Sequence, residues 1–209
     1  MSVKDLRGIS PDILEDLIFY FKYASSAYTP FCPRPNGRNL VTEISKASSL
    51  ATETGKNWCL LSVEGRFEGF LLIDIDGLKI PWNDSVSIID ILVDSAIVLV
   101  PLITPGVEAP SGVRVHSGFL VGWNSIAIQI IAVIKQQLFL HPDLKNLVTT
   151  GHSLGGSLAT LAAICLRGNF PSLTTRTYSY GAPRNKEFAD YFNGEFGVNA
   201  FRVVHSNDG

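Results

Sequence analysis

Cysteine and charge are both scarce in this 209-residue chain, and each scarcity removes a class of reading. Three cysteines, Cys32, Cys59 and Cys165, cannot all pair with one another. A net charge of −2, with only 17% charged residues, offers no basic surface for nucleic acid. The start, Met1-Ser2-Val3-Lys4-Asp5, leads into a polar stretch without the apolar core of a signal peptide. Long apolar runs are missing too. Val86 to Ile103 is interrupted by Asp90, Asp94 and Pro101, so its uncharged runs fall well short of the roughly 20 residues a membrane helix needs. Phe119 to Leu140 carries Gly122, Ser125, Gln129 and Gln136 on one narrow helical stripe and reads as a mostly buried helix of a soluble protein. No integral membrane segment, metal or cofactor is expected.

Against those absences stands Gly151-His152-Ser153-Leu154-Gly155, a G-x-S-x-G pattern. Asn146 to Thr150 before it is β-prone, and Leu154 to Leu166 after it is small and apolar, as in a helix laid closely on a sheet. That order defines a nucleophile elbow, a strained strand-to-helix turn that lifts a serine hydroxyl clear of the sheet. Glycines flank the serine because side chains there would strike strand and helix. Ser153 would also sit at the positive end of the helix, where a developing oxyanion is favoured. The pattern points to Ser153 as a nucleophile.

Around the elbow, strands and helices alternate without repeats or low-complexity linkers. Ser10-Pro11-Asp12 opens a helix whose apolar face runs Ile13, Leu17, Phe21, Ala24. Pro30 to Asn39 is a loop rich in proline, glycine and asparagine, and Trp58–Val63 with Phe70–Ile75 reads as a hairpin. A proline-rich loop (Pro101, Pro105, Pro110) precedes the long helix at 119–140. Tyr178–Tyr180 and Phe201–Val204 are strands, with a helix from about Asn185 to Phe192 between them. Such alternation argues for one α/β domain over 1–209, its serine at a strand's carboxyl end. Cys165, inside the apolar helix, reads as a small core residue.

A serine nucleophile needs a base, an acid that orients the base, and an oxyanion hole. On sheets of this kind the order along the chain is serine, acid, histidine. Asp208 directly follows the last strand, whereas Glu187, Asp190 and Glu195 lie on or beside a polar helix and read as solvated surface. Only Gly209 follows Asp208, so no histidine takes third place. His152 adjoins the nucleophile and reads as a packing or hydrogen-bonding residue; His141, before Pro142, reads as a helix cap. One oxyanion donor should be the N–H of Leu154.

The chain resembles the class 3 fungal lipases, an α/β-hydrolase family that includes triacylglycerol lipases and feruloyl esterases. The resemblance rests on Tyr20–Tyr28, Cys32–Gly37, Val115-His116-Ser117-Gly118-Phe119, Gly151–Gly156, Tyr178–Arg184 and Phe201–Asp208, in the family's order. It implies an α/β-hydrolase sheet with flanking helices, Ser153 as nucleophile, Asp208 as the acid, and a histidine beyond Gly209. The domain is accordingly expected to lack its C-terminal part. His116 becomes a structural residue near the site and His205 a supporting residue at a strand end. The second oxyanion donor falls on Leu78, in Ile75-Asp76-Gly77-Leu78, which keeps the N–H but lacks the hydroxyl the family carries there. Pro183-Arg184-Asn185-Lys186 lacks two residues usual after Pro-Arg, so that loop is shortened. An extracellular location is also implied, with Cys32 suited to a disulfide.

Pro81 to Ile97 takes the family's lid position. Asn83, Ser87, Asp90 and Asp94 fall on one helical face, with Ile88, Ile89, Ile91, Leu92 and Val93 filling the rest. An amphipathic helix of that kind can pack on the sheet like any other, or cover an apolar groove and open at a lipid–water interface; the resemblance implies the second. The expected activity is hydrolysis of a lipid or other ester, foremost triacylglycerol, through an acyl-enzyme on Ser153. Two alternatives remain open: a feruloyl-type esterase, and a non-catalytic protein that lacks the triad histidine.

Overall fold

A computed structural model describes residues 9–26, 40–42, 58–63, 70–73, 98–140, 142–183 and 185–204. Leu78, Cys32, the segment 81–97, His141, Arg184, His205 and Asp208 lie outside the described residues.

The chain begins with α1 (Pro11–Ser26), β1 (Leu40–Thr42), β2 (Trp58–Val63) and β3 (Phe70–Ile73). It continues through β4 (Leu99–Pro101), β5 (Arg114–His116), α2 (Ser117–Leu140), β6 (Asn146–His152) and α3 (Leu154–Asn169). Then follow β7 (Thr174–Tyr180), α4 (Lys186–Phe196), a short 3-10 turn and β8 (Ala200–Val203). The main sheet has the order β1-β2-β3-β6-β7-β8. β1, β2 and β3 pair antiparallel, while β3, β6, β7 and β8 run parallel. The expected hairpin is present, with Trp58 opposite Ile73. β1 and the β4–β5 ribbon were not foreseen.

Alternation along the parallel strands assigns each face its helix. Leu147, Thr149, Thr175 and Thr177 share one face, and the Thr149 hydroxyl donates to Thr177 Oγ1 at 2.9 Å. Small β-branched residues there let the glycine- and alanine-rich α3 approach closely, with α2 and the phenylalanines of α4 completing that core. The opposite face presents Val148, Tyr178 and Tyr180 to α1. Tyr20 stacks on Tyr178 at 4.1 Å between centroids, and Tyr178 on Phe201 at 4.9 Å. The Tyr180 hydroxyl donates to Leu17 O at 2.6 Å, and burial pushes both the Tyr178 and Tyr180 phenols far above their usual range.

Three expectations need correction. Phe21, placed by spacing on the buried face of α1, is about half exposed at 47%; Tyr20 takes that core position instead. α4 runs on to Phe196 because Phe188, Phe192 and Phe196 form one buried stripe, with the last two rings stacked at 4.5 Å. α2 is less buried than expected. Its core arc is Trp123, Ile126, Ala127, Ile130, Ile131 and Ile134, and the stripe of Gly122, Ser125, Gln129 and Gln136 is split, with Gly122 buried, Gln129 half-buried and Ser125 and Gln136 exposed. The outward face shows Val121, Ile128 and Phe139 to solvent. By length and apolarity alone α2 could cross a bilayer, yet one side of it is built into the core.

Candidate active site

The parallel strands bring three carboxyl ends to one edge. His152 pairs in register with Tyr180, and Tyr180 with Val203, so Ser153, Gly181 and Val204 leave the sheet side by side. Ligand sites in such sheets form at this edge.

Ser153 follows β6 and occupies the N-cap of α3, with φ 52° and ψ −125°. Among the described residues it is the one non-glycine residue with positive φ. A serine at an N-cap ordinarily takes extended backbone and spends its hydroxyl on an exposed N–H of the first turn. Ser153 does neither, making no side-chain cap bond. Its conformation costs on the order of 1–3 kcal/mol, which the surroundings must enforce. Three contacts do so. The Ser153 N–H donates to Tyr180 O at 2.8 Å, while its carbonyl accepts from Gly156 N at 3.0 Å and Ser157 N at 3.3 Å. A Cβ on Gly151 would collide with the carbonyl of Gly155, and one on Gly156 would come within 2.7 Å of Ala182 Cβ. Both glycines are therefore required by close backbone approach.

Leu154 is the first residue of α3, so its N–H has no acceptor within the helix and stands at the positive end of the dipole. No acidic residue lies in that first turn to neutralise it. The half-buried Ser153 hydroxyl thus sits beside an N–H able to receive negative charge.

The two described histidines separate clearly. His116 closes β5, and its Nδ1 accepts the Gly118 N–H at 3.1 Å while its ring lies 4.5 Å from that of Phe119. It therefore caps α2, as the structural reading expects. Burial lowers its pKa below the ordinary 6.5. The unfolded chain consequently binds the proton more readily, so acidification through and below about pH 6.5 should weaken the fold. His116→Asn, whose side-chain oxygen can accept the same N–H without titrating, should flatten that loss in thermal melts recorded from pH 7 to pH 5. His152 ends β6 at an exposed position, because the sheet stops there.

The acids read as surface behave as such: Lys186 pairs with Asp190, and Arg167 meets Glu195 at 3.5 Å, all with exposed side chains. Glu187 accepts from Asn185 Nδ2 at 3.0 Å, and the same amide reaches Arg114 O at 2.9 Å, fixing the start of α4. Cys165 is fully buried and donates to Pro105 O at 3.1 Å, as expected of a core thiol. Sequence reasoning missed the buried Ser157, whose hydroxyl donates to Pro183 O at 2.6 Å. Its one visible signal is a hydroxyl in the apolar first half of α3, which Thr160 shares.

Comparison with known proteins places this geometry. Residues 81–209 match the family Lipase (class 3). A secreted mono- and diacylglycerol lipase from Fusarium solani is 41% identical over 101 residues, a match covering 47% of this chain and 29% of that protein. Secreted mono- and diacylglycerol lipase A from Penicillium cyclopium is 26% identical over 97% of this chain and 66% of its own length. The chain thus spans less than two thirds of these relatives. Among solved structures, a triacylglycerol lipase from Penicillium expansum shares the fold with a TM-score of 0.64 at 22% identity, covering 93% of this chain and 69% of that one. A mutant form of MDLA from Penicillium cyclopium aligns with a TM-score of 0.68 at 23% identity, covering 95% of this chain and 73% of that one. The fold is that of the α/β-hydrolase fungal lipases, and the chain belongs to the class 3 lipase family.

Proposed function

We propose that the protein is a serine carboxylic-ester hydrolase acting on acylglycerols, with Ser153 as its nucleophile. The observation that carries this reading is the strained Ser153, held at φ 52° with its hydroxyl unspent on capping. Ser153 Oγ attacks the ester carbonyl and passes its proton to a histidine base, which the family order puts after Asp208. Asp208 orients that base. The oxyanion is held by the N–H of Leu154 and by that of Leu78. Collapse of the tetrahedral intermediate expels the alcohol, which takes the proton from the base. Water then attacks the acyl-enzyme, losing a proton to the same histidine and returning the serine.

Acylglycerol is favoured because relatives of this chain are named as mono- and diacylglycerol lipases, and they are named as secreted. An extracellular enzyme working at a lipid–water interface fits both, and the amphipathic pattern of residues 81–97 supplies a lid. A second reading, a lipase-fold protein without turnover, is supported by Leu78, which cannot add the hydroxyl hydrogen bond of a Gly-Thr oxyanion corner.

The test is hydrolysis by the complete gene product. Rate should climb sharply once triglyceride exceeds its solubility limit, and Ile89→Asp or Leu92→Asp should blunt that climb while sparing soluble short-chain esters. Saturation below the solubility limit with a preference for feruloyl esters would refute the lid. No hydrolysis of any ester would favour the non-catalytic reading.

A further inference from the structure

We infer that Ser157 is a positioning residue for Ser153, acting through the strap Tyr180–Pro183; the inference rests on the proposed nucleophilic role of Ser153. Ser157 lies one helical turn beyond the elbow and is 3% exposed. A helical serine usually turns its hydroxyl back to a carbonyl of its own helix. Ser157 instead reaches out of α3 to Pro183 O at 2.6 Å.

The strap this bond joins is tied at each successive residue, and the ties run to two different elements. Tyr180 O accepts the N–H of Ser153 itself at 2.8 Å. Gly181 N donates to Val203 O at 2.8 Å, and Ala182 O accepts Arg202 Nη2 at 3.1 Å, both on β8. Pro183 O then returns to α3 through Ser157. The outer ties therefore hold the nucleophile's turn, and the inner ties hold the strand that leads towards Asp208. Gly156 fills the space between, close against Ala182.

An elbow in a strained conformation relaxes when a restraint is removed. Without the Ser157 hydroxyl, the first turn of α3 keeps only one of its two hydrogen bonds to the strap. The first turn can then rotate against β8, and Ser153 Oγ loses alignment with the groups that activate it. Misplacement by about 1 Å can cost on the order of 100-fold in rate. Reversible binding, in which the Ser157–Pro183 bond takes no part, should be spared.

The experiment measures phosphonylation of Ser153 by a fluorophosphonate in the complete gene product, separating the inactivation rate constant from the probe's binding constant. Ser157→Ala should lower the rate constant about tenfold at an unchanged binding constant. Ser157→Thr, which restores a hydroxyl, should recover most of it. Parental kinetics in Ser157→Ala, or a loss confined to probe binding, would overturn the inference. Should Ser157→Ala not fold, Arg202→Leu, at an exposed side chain, tests the strap from β8, and a parental rate constant there overturns it equally. A parent protein that never labels at Ser153 would remove the nucleophile reading, and this inference with it; a labelled parent with an indifferent Ser157→Ala removes the inference alone.

Discussion

Ser153→Ala should reduce ester hydrolysis by the complete gene product about 10⁴-fold or more, since loss of the nucleophile disables every step of covalent catalysis. Folding should be spared, because the Ser153 hydroxyl makes no cap bond whose loss would weaken α3. Ser153→Gly separates chemistry from strain. It should be equally inactive yet more stable than the alanine variant by about 1 kcal/mol, because glycine adopts φ 52° without the side-chain clash. Chemical denaturation of the two variants checks the second half. An alanine variant as stable as the glycine variant would mean that the elbow stores no strain.

Gly151→Ala should be the most damaging change to the fold. The added methyl would strike the backbone of Gly155 and Gly156, which cannot move aside as a flexible side chain could. The expected loss is about 3 kcal/mol or more, a large share of the roughly 5–15 kcal/mol that holds a domain together. Gly194→Ala is the matched control. Gly194 lies within α4, has nothing within 4 Å of an added Cβ, and should gain up to about 1 kcal/mol from helix propensity. Equal melting temperatures for Gly151→Ala and the parent would show that β6 and α3 do not approach as closely as the elbow requires.

The elbow was legible because its signal is local: glycine spacing, a β-prone run before and a small apolar helix after all fall within one short stretch. The parallel strands could be placed for the same reason, though β7 began earlier than expected, at the β-branched Thr174-Thr175. Short elements were harder. β1 and β4 span three residues each, and Pro101 and the prolines after it pointed to loop, whereas β4 pairs among the described residues with β5 alone, where a proline at the strand end is tolerated. Exposure on α2 was misjudged because helical spacing groups residues by angle without saying where the core lies; Gly122 is buried while Gln136 is exposed on the same stripe. The strap was out of reach for a different reason. Ser157 and Pro183 are far apart in sequence, and a bond from a hydroxyl to a main-chain carbonyl leaves no pattern in residue types. Asp208 stood out by directly following the last strand, whereas Leu78 came from family resemblance, because the spacing of residues alone could not single it out.

The most direct test of the central claim is to find where the acyl group goes. The complete gene product would be mixed with a p-nitrophenyl ester, quenched in acid during turnover, digested and mapped by mass spectrometry. The account predicts the acyl mass on the peptide carrying Gly151–Gly156, localised to Ser153 and absent from Ser153→Ala. Turnover without acylation there, or an acyl group on another residue, would contradict it.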